Sequence, residues 1–301
     1  MTTATLQLTD EQIDSVNRDG FLRVPRITSN EEALKIRATL ERLFAERAGW
    51  KEGAYGDLAA KKDEDKQANS PQILLPVNYA PELHRTDTFL NALEMAKQIL
   101  GEEAAFVLDL AILKRAGSGE PTPWHQDDAF RDPQFEYKEV TIWVALQDVD
   151  EKSGCLMFIP ESHGGKVLGH RQTRRDGGSI SLECIADFDP STAVKASLPL
   201  GGCTIHLPRT LHASTPNNSG GARIVYIMSF GLPPVRAAEP ATFSWRDDTT
   251  TEMALRRRKW MLLRGGMFIT AWRRLRRGDL NSWSKISYFG RRAAKTLVRG
   301  S

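Results

Sequence analysis

Apolar positions after residue 104 fall in short β-branched and aromatic runs, AAFVLDLAILK, EVTIWVALQDV, CLMFIP, CTIHLP and ARIVYIMSF, separated by Gly, Pro, Asn and Ser clusters. No helical stretch of about ten to fifteen residues alternates with them. That argues against a doubly wound parallel sheet and predicts an antiparallel sandwich or barrel over residues 104–232. Ahead of residue 104 the signals are those of helices. Thr9 followed by Gln12, and Ser29 followed by Glu32, are capping-box pairs that predict helices over residues 10–18 and 30–48. Between them GFLRVPRI predicts a short strand. Thr86 or Asp87 caps a third helix running to Leu100, where Gly101 supplies the stop. Residues 51–71 mix Lys, Asp, Gly and Asn with little apolar content and predict a mobile surface loop, one use of which is a lid.

Composition adds boundaries to this picture. The 301 residues include 41 Lys plus Arg, 38 Asp plus Glu and 41% hydrophobic residues, which excludes a fibrous or disordered chain. Such a length supports a substantial core in one large or two modest domains. Cys155, Cys184 and Cys203 are odd in number and lack CxxC spacing, so they suggest neither a disulfide framework nor a thiolate zinc site and are read as small apolar fillers. A reducing compartment is then the expectation. The opening MTTATLQLTDEQ carries no basic and apolar leader pattern, and no run of about eighteen apolar residues occurs, so a cytoplasmic, non-spanning protein is expected. Charge is unevenly placed. Residues 252–301 hold fourteen Lys or Arg against two acids, leaving 27 basic and 36 acidic residues in the rest, so a basic tail follows an acidic body.

The candidate chemistry begins in PTPWHQDDAF, where His125 and Asp127 are two residues apart. In an extended backbone both side chains share one face and Gln126 turns away. An imidazole and a carboxylate on one face are two of the three donors of the 2-His-1-carboxylate triad, which holds non-haem Fe(II) and keeps positions open for oxygen and a co-substrate. A lone HxD arises often by chance. What gives it weight is His212, just past the strand GCTIHLP, and Arg223 at the start of another strand. A barrel can bring His212 to His125 and Asp127. Arg223, Val225, Ile227 and Ser229 share a face, which puts Arg223 deep inside, where a guanidinium needs an anion. A carboxylate-bearing co-substrate would supply one bidentately; a structural ion pair with an acid of the domain is the alternative. Asp128 competes with Asp127 but points to the opposite face. His163 reads as a backbone hydrogen-bonder rather than a metal ligand, and His206, which could line the pocket, reads rather as a packed strand residue, while His84 and His170 show no partner pattern.

These residues carry a resemblance to the phytanoyl-CoA dioxygenase family of Fe(II) and 2-oxoglutarate-dependent oxygenases. It covers most of residues 8–232, from LTDEQIDSVNRDGFLRVP through PWHQD, TIWVAL and SGCLMFIPESH to the HxSxxN segment beginning at His212 and the arginine that follows. The resemblance implies a mainly β fold with flanking helices, built on a double-stranded β-helix of the jelly-roll or cupin kind. It implies His125, Asp127 and His212 as iron ligands and Arg223 as the clamp on the distal carboxylate of 2-oxoglutarate. Ser214 would assist Arg223, and Gln126 and Trp143 would line the co-substrate pocket, although alternation alone aims Gln126 outward. The implied reaction oxidises an unactivated C–H bond, usually by hydroxylation, as 2-oxoglutarate and O2 become succinate and carbon dioxide. Two departures are visible: Pro160-Glu161-Ser162-His163 replaces the usual Pro-Gly-Ser-His, and Gly201-Gly202 replaces a frequent Gly-Asp. Asp127 stands where halogenating relatives carry a small residue, which argues against halogenation. Two other classes remain as alternatives. A catalytically silent β-barrel binding module, membrane-associated or regulatory in role, would not need all four residues, and a zinc hydrolase using the same triad leaves Arg223 unexplained.

The expected domain organisation is a catalytic domain over 1–240 and a basic, aromatic-rich extension over 241–301. Within the extension, residues 253–277 interleave nine Lys or Arg with Trp260, Trp272, Met261, Leu262, Leu263, Phe268 and Ile269, and Gly265 and Gly266 divide them into two short helices. That composition suits peripheral contact with an anionic membrane, from its inner face, and with it an amphiphilic rather than an ordinary small-molecule substrate. Packing on the acidic body, a dimer contact and nucleic acid are the competing uses, with nucleic acid the weakest. Residues 51–71 and 171–175 are candidate substrate-facing segments. Neither the substrate nor the oligomeric state is legible in these residues.

Overall fold

The strand-length runs pair into two antiparallel sheets whose apolar faces meet, with helices covering the outer side of the larger. The computed structural model describes residues 6–58, 69–117, 120–173, 181–246, 251–263 and 265–276. Residues 59–68 of the expected loop, Arg174 and Arg175, and residues 264 and 277–301 of the basic tail lie outside them. In chain order the strands are β1 (Phe21–Val24), β2 (Tyr55–Asp57), β3 (Pro71–Leu74), β4 (Ala105–Lys114) and β5 (Thr122–His125). Next come β6 (Phe135–Glu136), β7 (Glu139–Ala145), β8 (Leu156–Phe158), β9 (His170–Thr173) and β10 (Ser181–Cys184). The last five are β11 (Val194–Ala196), β12 (Cys203–His206), β13 (His212–Ser214), β14 (Arg223–Gly231) and β15 (Val235–Arg236).

Seven strands form the larger sheet in the order β1-β12-β7-β14-β4-β3-β2, and four form the smaller in the order β11-β8-β13-β5. The central strands β7, β12 and β14 are buried along their whole length because both of their faces are covered. On the outer face Val140, Ile142, Val144, Ile205, Tyr226 and Met228 pack with Ile36 and Leu40 of one helix and Phe89 and Met95 of another. On the inner face Trp143, Ala145, Val225 and Ile227 meet Leu156, Phe158 and Ala196 of the smaller sheet. Strand alternation thus sorts one set of residues into a sealed core and the other into the space between the sheets. The three cysteines are buried and unpaired, as fillers should be.

Helix α1 (Asp10–Asp19) begins at a complete capping box on Thr9 and Gln12 and ends at Gly20. Helix α2 (Asn30–Ala45) stops short of residue 48 because Arg47 takes φ 50° and the chain closes with 46–48 as a turn. Its Ser29 cap accepts from the Glu32 N–H, but the Glu32 side chain does not complete the box. It crosses instead to helix α3 (Asp87–Leu100), where its carboxylate accepts from the Asp87 and Thr88 N–H groups at 2.8 Å each and from the Thr88 hydroxyl at 2.7 Å. Thr28 adds a fourth donor at 2.5 Å. Thr86, of the two expected caps, is the one that accepts from Phe89 N. The expectation of a loop over 51–71 is corrected at both ends: Tyr55–Asp57 pairs with Pro71–Leu74 and forms the edge of the larger sheet.

Glu32 offers a test of how the helices are tied together. Burial pushes its carboxyl up, but the Thr28 and Thr88 hydroxyls and the two α3 N–H groups outweigh that and hold it below the usual glutamate range. A carboxyl depressed in the folded state contributes stability in full above its ordinary titration range, and that contribution is lost as pH falls through the folded value. Denaturation midpoints measured down through that acid range should therefore fall more steeply for the native chain than for Glu32→Gln. At neutral pH Glu32→Ala should cost about 2–3 kcal/mol, since the first turn of α3 loses a charged acceptor. Superimposable acid profiles for the native chain and E32Q would remove Glu32 as the tie.

Candidate active site

Strands β5 and β13 are adjacent in the smaller sheet, and their register sets His212 directly opposite His125. The two rings lie 4.2 Å apart between centroids. Each imidazole is oriented the same way. His125 Nδ1 is 2.7 Å from the Pro123 carbonyl and His212 Nδ1 is 2.8 Å from the Thr210 carbonyl. A carbonyl can only accept, so both rings carry their proton on Nδ1 and turn the Nε2 lone pair inward. Burial lowers the pKa of both, and takes His212 well below the usual histidine range with help from the neighbouring His125 and His206 rings. Both rings are therefore neutral at neutral pH.

Past His125 the chain leaves the strand and enters a short 3-10 turn, Asp127–Phe130, which brings the Asp127 carboxylate back toward the two rings. Asp127 Oδ1 lies 3.8 Å from His125 Nε2 and 3.7 Å from His212 Nε2. Its other oxygen accepts from Thr141 Oγ1 at 3.1 Å and stands 3.4 Å from His206 Nε2. Burial pushes the Asp127 carboxyl up, but contact with His206 and the nearby His212 and His125 rings outweigh it, holding the group well below the usual carboxylate range. Two neutral nitrogens and one carboxylate oxygen lie within 4.8 Å of one another. That donor set fits Fe(II): three donors gathered on one side, each fixed from behind by a carbonyl or a hydroxyl, with the opposite side left for small ligands.

A second polar cluster lies between the sheets, on the same side as the triad. Arg223 on β14 is in register with Lys114 on β4, and both are almost fully buried, at 2% and 3% exposure. Lys114 Nζ donates to Ser214 Oγ at 2.6 Å and to the Thr215 carbonyl at 3.1 Å, and Ser214 Oγ in turn donates to Thr122 Oγ1 at 2.8 Å. Among the described residues no carboxylate pairs with Arg223, and its Nε has no hydrogen-bond partner. The structural ion pair weighed as an alternative is therefore not found there. Burial pulls the Arg223 pKa down to about 9. Its guanidinium carbon sits 5.4 Å from the Trp143 ring, and a side chain at Gly154, which has φ 98°, would come within 3.4 Å of Arg223 Nε. His212 and Ser214 share one face of β13 about 7 Å apart, the span of a short dicarboxylate.

The structure thus brings His125, Asp127 and His212 together, while Ser214, two residues past His212 on β13, bonds Lys114, the register neighbour of Arg223, and Trp143 lies near Arg223. Gln126 is elsewhere engaged: fully buried, it donates to the Arg209 carbonyl at 2.5 Å and accepts from Leu168 N–H at 2.7 Å, bracing two loops. Asp128 faces away and pairs with Arg209 at 2.9 Å. His163 reaches the Asn17 carbonyl. Sequence reasoning did not find Lys114, although Leu110, Ile112 and Lys114 alternate on one face, and a lysine ending an apolar face is a signal. Nor did it assign His206, which shares the inner face with Thr204. His84 and His170, which lacked a visible partner, meet Asp109 at 3.5 Å and the Gln126 N–H at 3.2 Å.

A family model described as Phytanoyl-CoA dioxygenase (PhyH) matches residues 16–225, more than half of the chain and every residue of both clusters. The chain belongs to the phytanoyl-CoA dioxygenase family. It is thereby an enzyme of the Fe(II)- and 2-oxoglutarate-dependent class, whose members consume O2. A probable alpha-ketoglutarate-dependent hypophosphite dioxygenase of Stutzerimonas stutzeri is 29% identical over 208 residues, 66% of this chain and 70% of that protein. The peroxisomal phytanoyl-CoA dioxygenase of Rattus norvegicus is 25% identical over 233 residues, 73% of this chain and 68% of its own. The crystal structure of EvdO2 from Micromonospora carbonacea var. aurantiaca, complexed with 2-oxoglutarate, superposes with a TM-score of 0.70 at 30% identity, over 81% of this chain and 99% of that one. The fold is the mainly β, cupin-like one that the resemblance implied, and its sheets are antiparallel, as the strand pattern predicted, and not closed into a barrel. No helix among the described residues is long and apolar enough to cross a membrane.

Proposed function

We propose that the protein oxidises an unactivated C–H bond, usually by hydroxylation, in a small-molecule or lipid-like substrate, with release of succinate and carbon dioxide. The observation that carries this reading is the convergence of two imidazole nitrogens and a carboxylate oxygen, together with a buried arginine that no carboxylate among the described residues pairs. His125, Asp127 and His212 would hold Fe(II), which when bound supplies the oxygen-activating chemistry that no side chain can. Thr141 holds the outer oxygen of Asp127, with His206 Nε2 3.4 Å from it, so that the inner oxygen stays turned toward the two rings. Arg223 would receive the distal carboxylate of 2-oxoglutarate. Ser214 and Lys114 stand at the same end, and Trp143, Val225 and Ile227 form a wall that keeps water out. Gln126 contributes by bracing the loops at Leu168 and Arg209.

The substrate side is less polar. Phe130 stands 5.9 Å from the His125 ring and is 43% exposed, an apolar surface open beside a proposed metal ligand. That favours a substrate with an apolar part. The catalytic domain is assigned residues 1–240. At the start of the extension assigned to 241–301, Trp245 lies with its ring 5.4 Å from that of His170, tilted by 49°, and donates to the Ala129 carbonyl at 3.0 Å.

The test is anaerobic addition of Fe(II) and 2-oxoglutarate to the protein, watched for the weak visible absorption of a chelated complex. The band should form, and Arg223→Ala should weaken it at a fixed 2-oxoglutarate concentration. Metal binding without any band would mean that 2-oxoglutarate does not chelate the ion, and the proposed reaction would fall with it.

A further inference from the structure

Residues 252–263 and 265–276 of the C-terminal extension form a helical hairpin that is fastened to the body on one side and apolar on the other. Helix α4 (Glu252–Leu263) and helix α5 (Gly266–Arg276) are linked where the sequence has Gly265 and Gly266. On the inner side Met253 and Trp260 are buried. Arg256 donates to the Tyr55 carbonyl at 2.8 Å and lays its guanidinium 3.5 Å over the Trp50 ring. Arg273 pairs with Glu52 at 2.7 Å, and Glu52 also accepts from the Tyr79 hydroxyl. The approach is close enough to require glycine at Gly53, where a Cβ would lie 2.3 Å from the Met253 carbonyl oxygen.

The outer side is different. Of the thirteen large apolar residues exposed among those described, six belong to this hairpin: Leu255, Leu262, Met267, Phe268, Ile269 and Trp272. Such concentration marks a contact surface rather than scattered exposure. Phe268 is the most exposed of them, at 79%. Met267, Phe268 and Ile269 are consecutive, so at about 100° per residue they spread around roughly 200° of the helix. A partner helix seats a narrow stripe at spacings of three and four, whereas a fluid interface accepts a broad wedge. The charge points the same way. Residues 252–276 contain eight Lys or Arg against the single acid Glu252, and Arg258 and Lys259 are exposed.

We propose that this hairpin docks the protein on the surface of an anionic phospholipid bilayer, with Met267, Phe268 and Ile269 entering the headgroup boundary and the α4 cations meeting lipid phosphates. Docking does not depend on the proposed reaction, and binding can be read without turnover. The experiment is co-sedimentation of the full chain with phosphatidylcholine vesicles, with and without phosphatidylglycerol. The native protein should bind the anionic vesicles, release them as salt rises, and leave the neutral ones in solution. Met267→Ser with Phe268→Ser should weaken binding about tenfold or more, and Arg258→Glu with Lys259→Glu should weaken it at least as much. Both double variants change exposed side chains, so unchanged melting temperature and 2-oxoglutarate binding serve as the check that each is folded. Failure of the folded native protein to bind anionic vesicles overturns the proposal, as does native-level binding by both variants. A concentration-dependent dimer that F268S alone abolishes overturns it in favour of a second copy of this chain.

Discussion

Replacing His212 with Ala should remove iron and activity together. Fe(II) affinity is expected to fall by more than about a hundredfold, since loss of a partner that merely orients a ligand already costs tenfold to a hundredfold. Turnover of 2-oxoglutarate should drop below detection. Among the described residues, the bond from His212 Nδ1 to the Thr210 carbonyl is the one hydrogen bond of this ring that the change removes, so the fold should survive. That makes thermal melting an independent readout. Fe(II) should raise the melting temperature of the native protein by binding only the folded state, and the rise should vanish in His212→Ala. His125→Ala should behave alike, because its ring is fixed by the same kind of contact to Pro123. Retention of native turnover by either variant would falsify the triad.

Arg223→Ala should act on the co-substrate and spare the metal. Truncating one partner of a buried, hydrogen-bonded charge pair costs roughly 2–5 kcal/mol, so the 2-oxoglutarate requirement should rise by about two orders of magnitude or more. Metal affinity should change little, because Arg223 makes no contact with His125, Asp127 or His212. Lys114→Met gives the control, at a residue that sequence reasoning did not find. Its ammonium is already held by Ser214 and the Thr215 carbonyl, so the rise should be smaller than that for Arg223→Ala. If the order of the two effects is reversed, Lys114 is the clamp and Arg223 the support. If the requirement is unchanged in both, the carboxylate is held somewhere else.

Much of this was written in the local pattern. Short β-branched runs and the absence of intervening helices were enough for an antiparallel fold, and two-residue alternation was enough to bury Arg223. Spacing also suggested that His212 could meet His125, although their register depends on pairing across 87 residues of chain. Features fixed by tertiary partners were not legible. Glu32 has the sequence of a local cap, yet its carboxylate goes to α3, because two unsatisfied N–H groups there are better donors than its own cap backbone. Tyr55–Asp57 has too little apolar content to announce a strand and pairs because Pro71–Leu74 supplies the partner. Gln126 follows alternation, turning away from the triad into backbone groups of loops that no local pattern reveals. His206 looked like packing because its neighbour, Asp127, lies on a different element.

The pairing of Arg223 with Lys114 across β14 and β4 bears on how a catalytic cycle would end. A pocket that grips only the far carboxylate sees the same end group on the diacid that enters and on the shorter one that leaves. Such a grip cannot tell co-substrate from product. Discrimination must then come from the near end, where one molecule offers a keto acid to the triad and the other a simple carboxylate. Succinate would be held by the same buried cations after its work is done, and its departure, rather than the making of the new bond, becomes a natural place for the enzyme to wait.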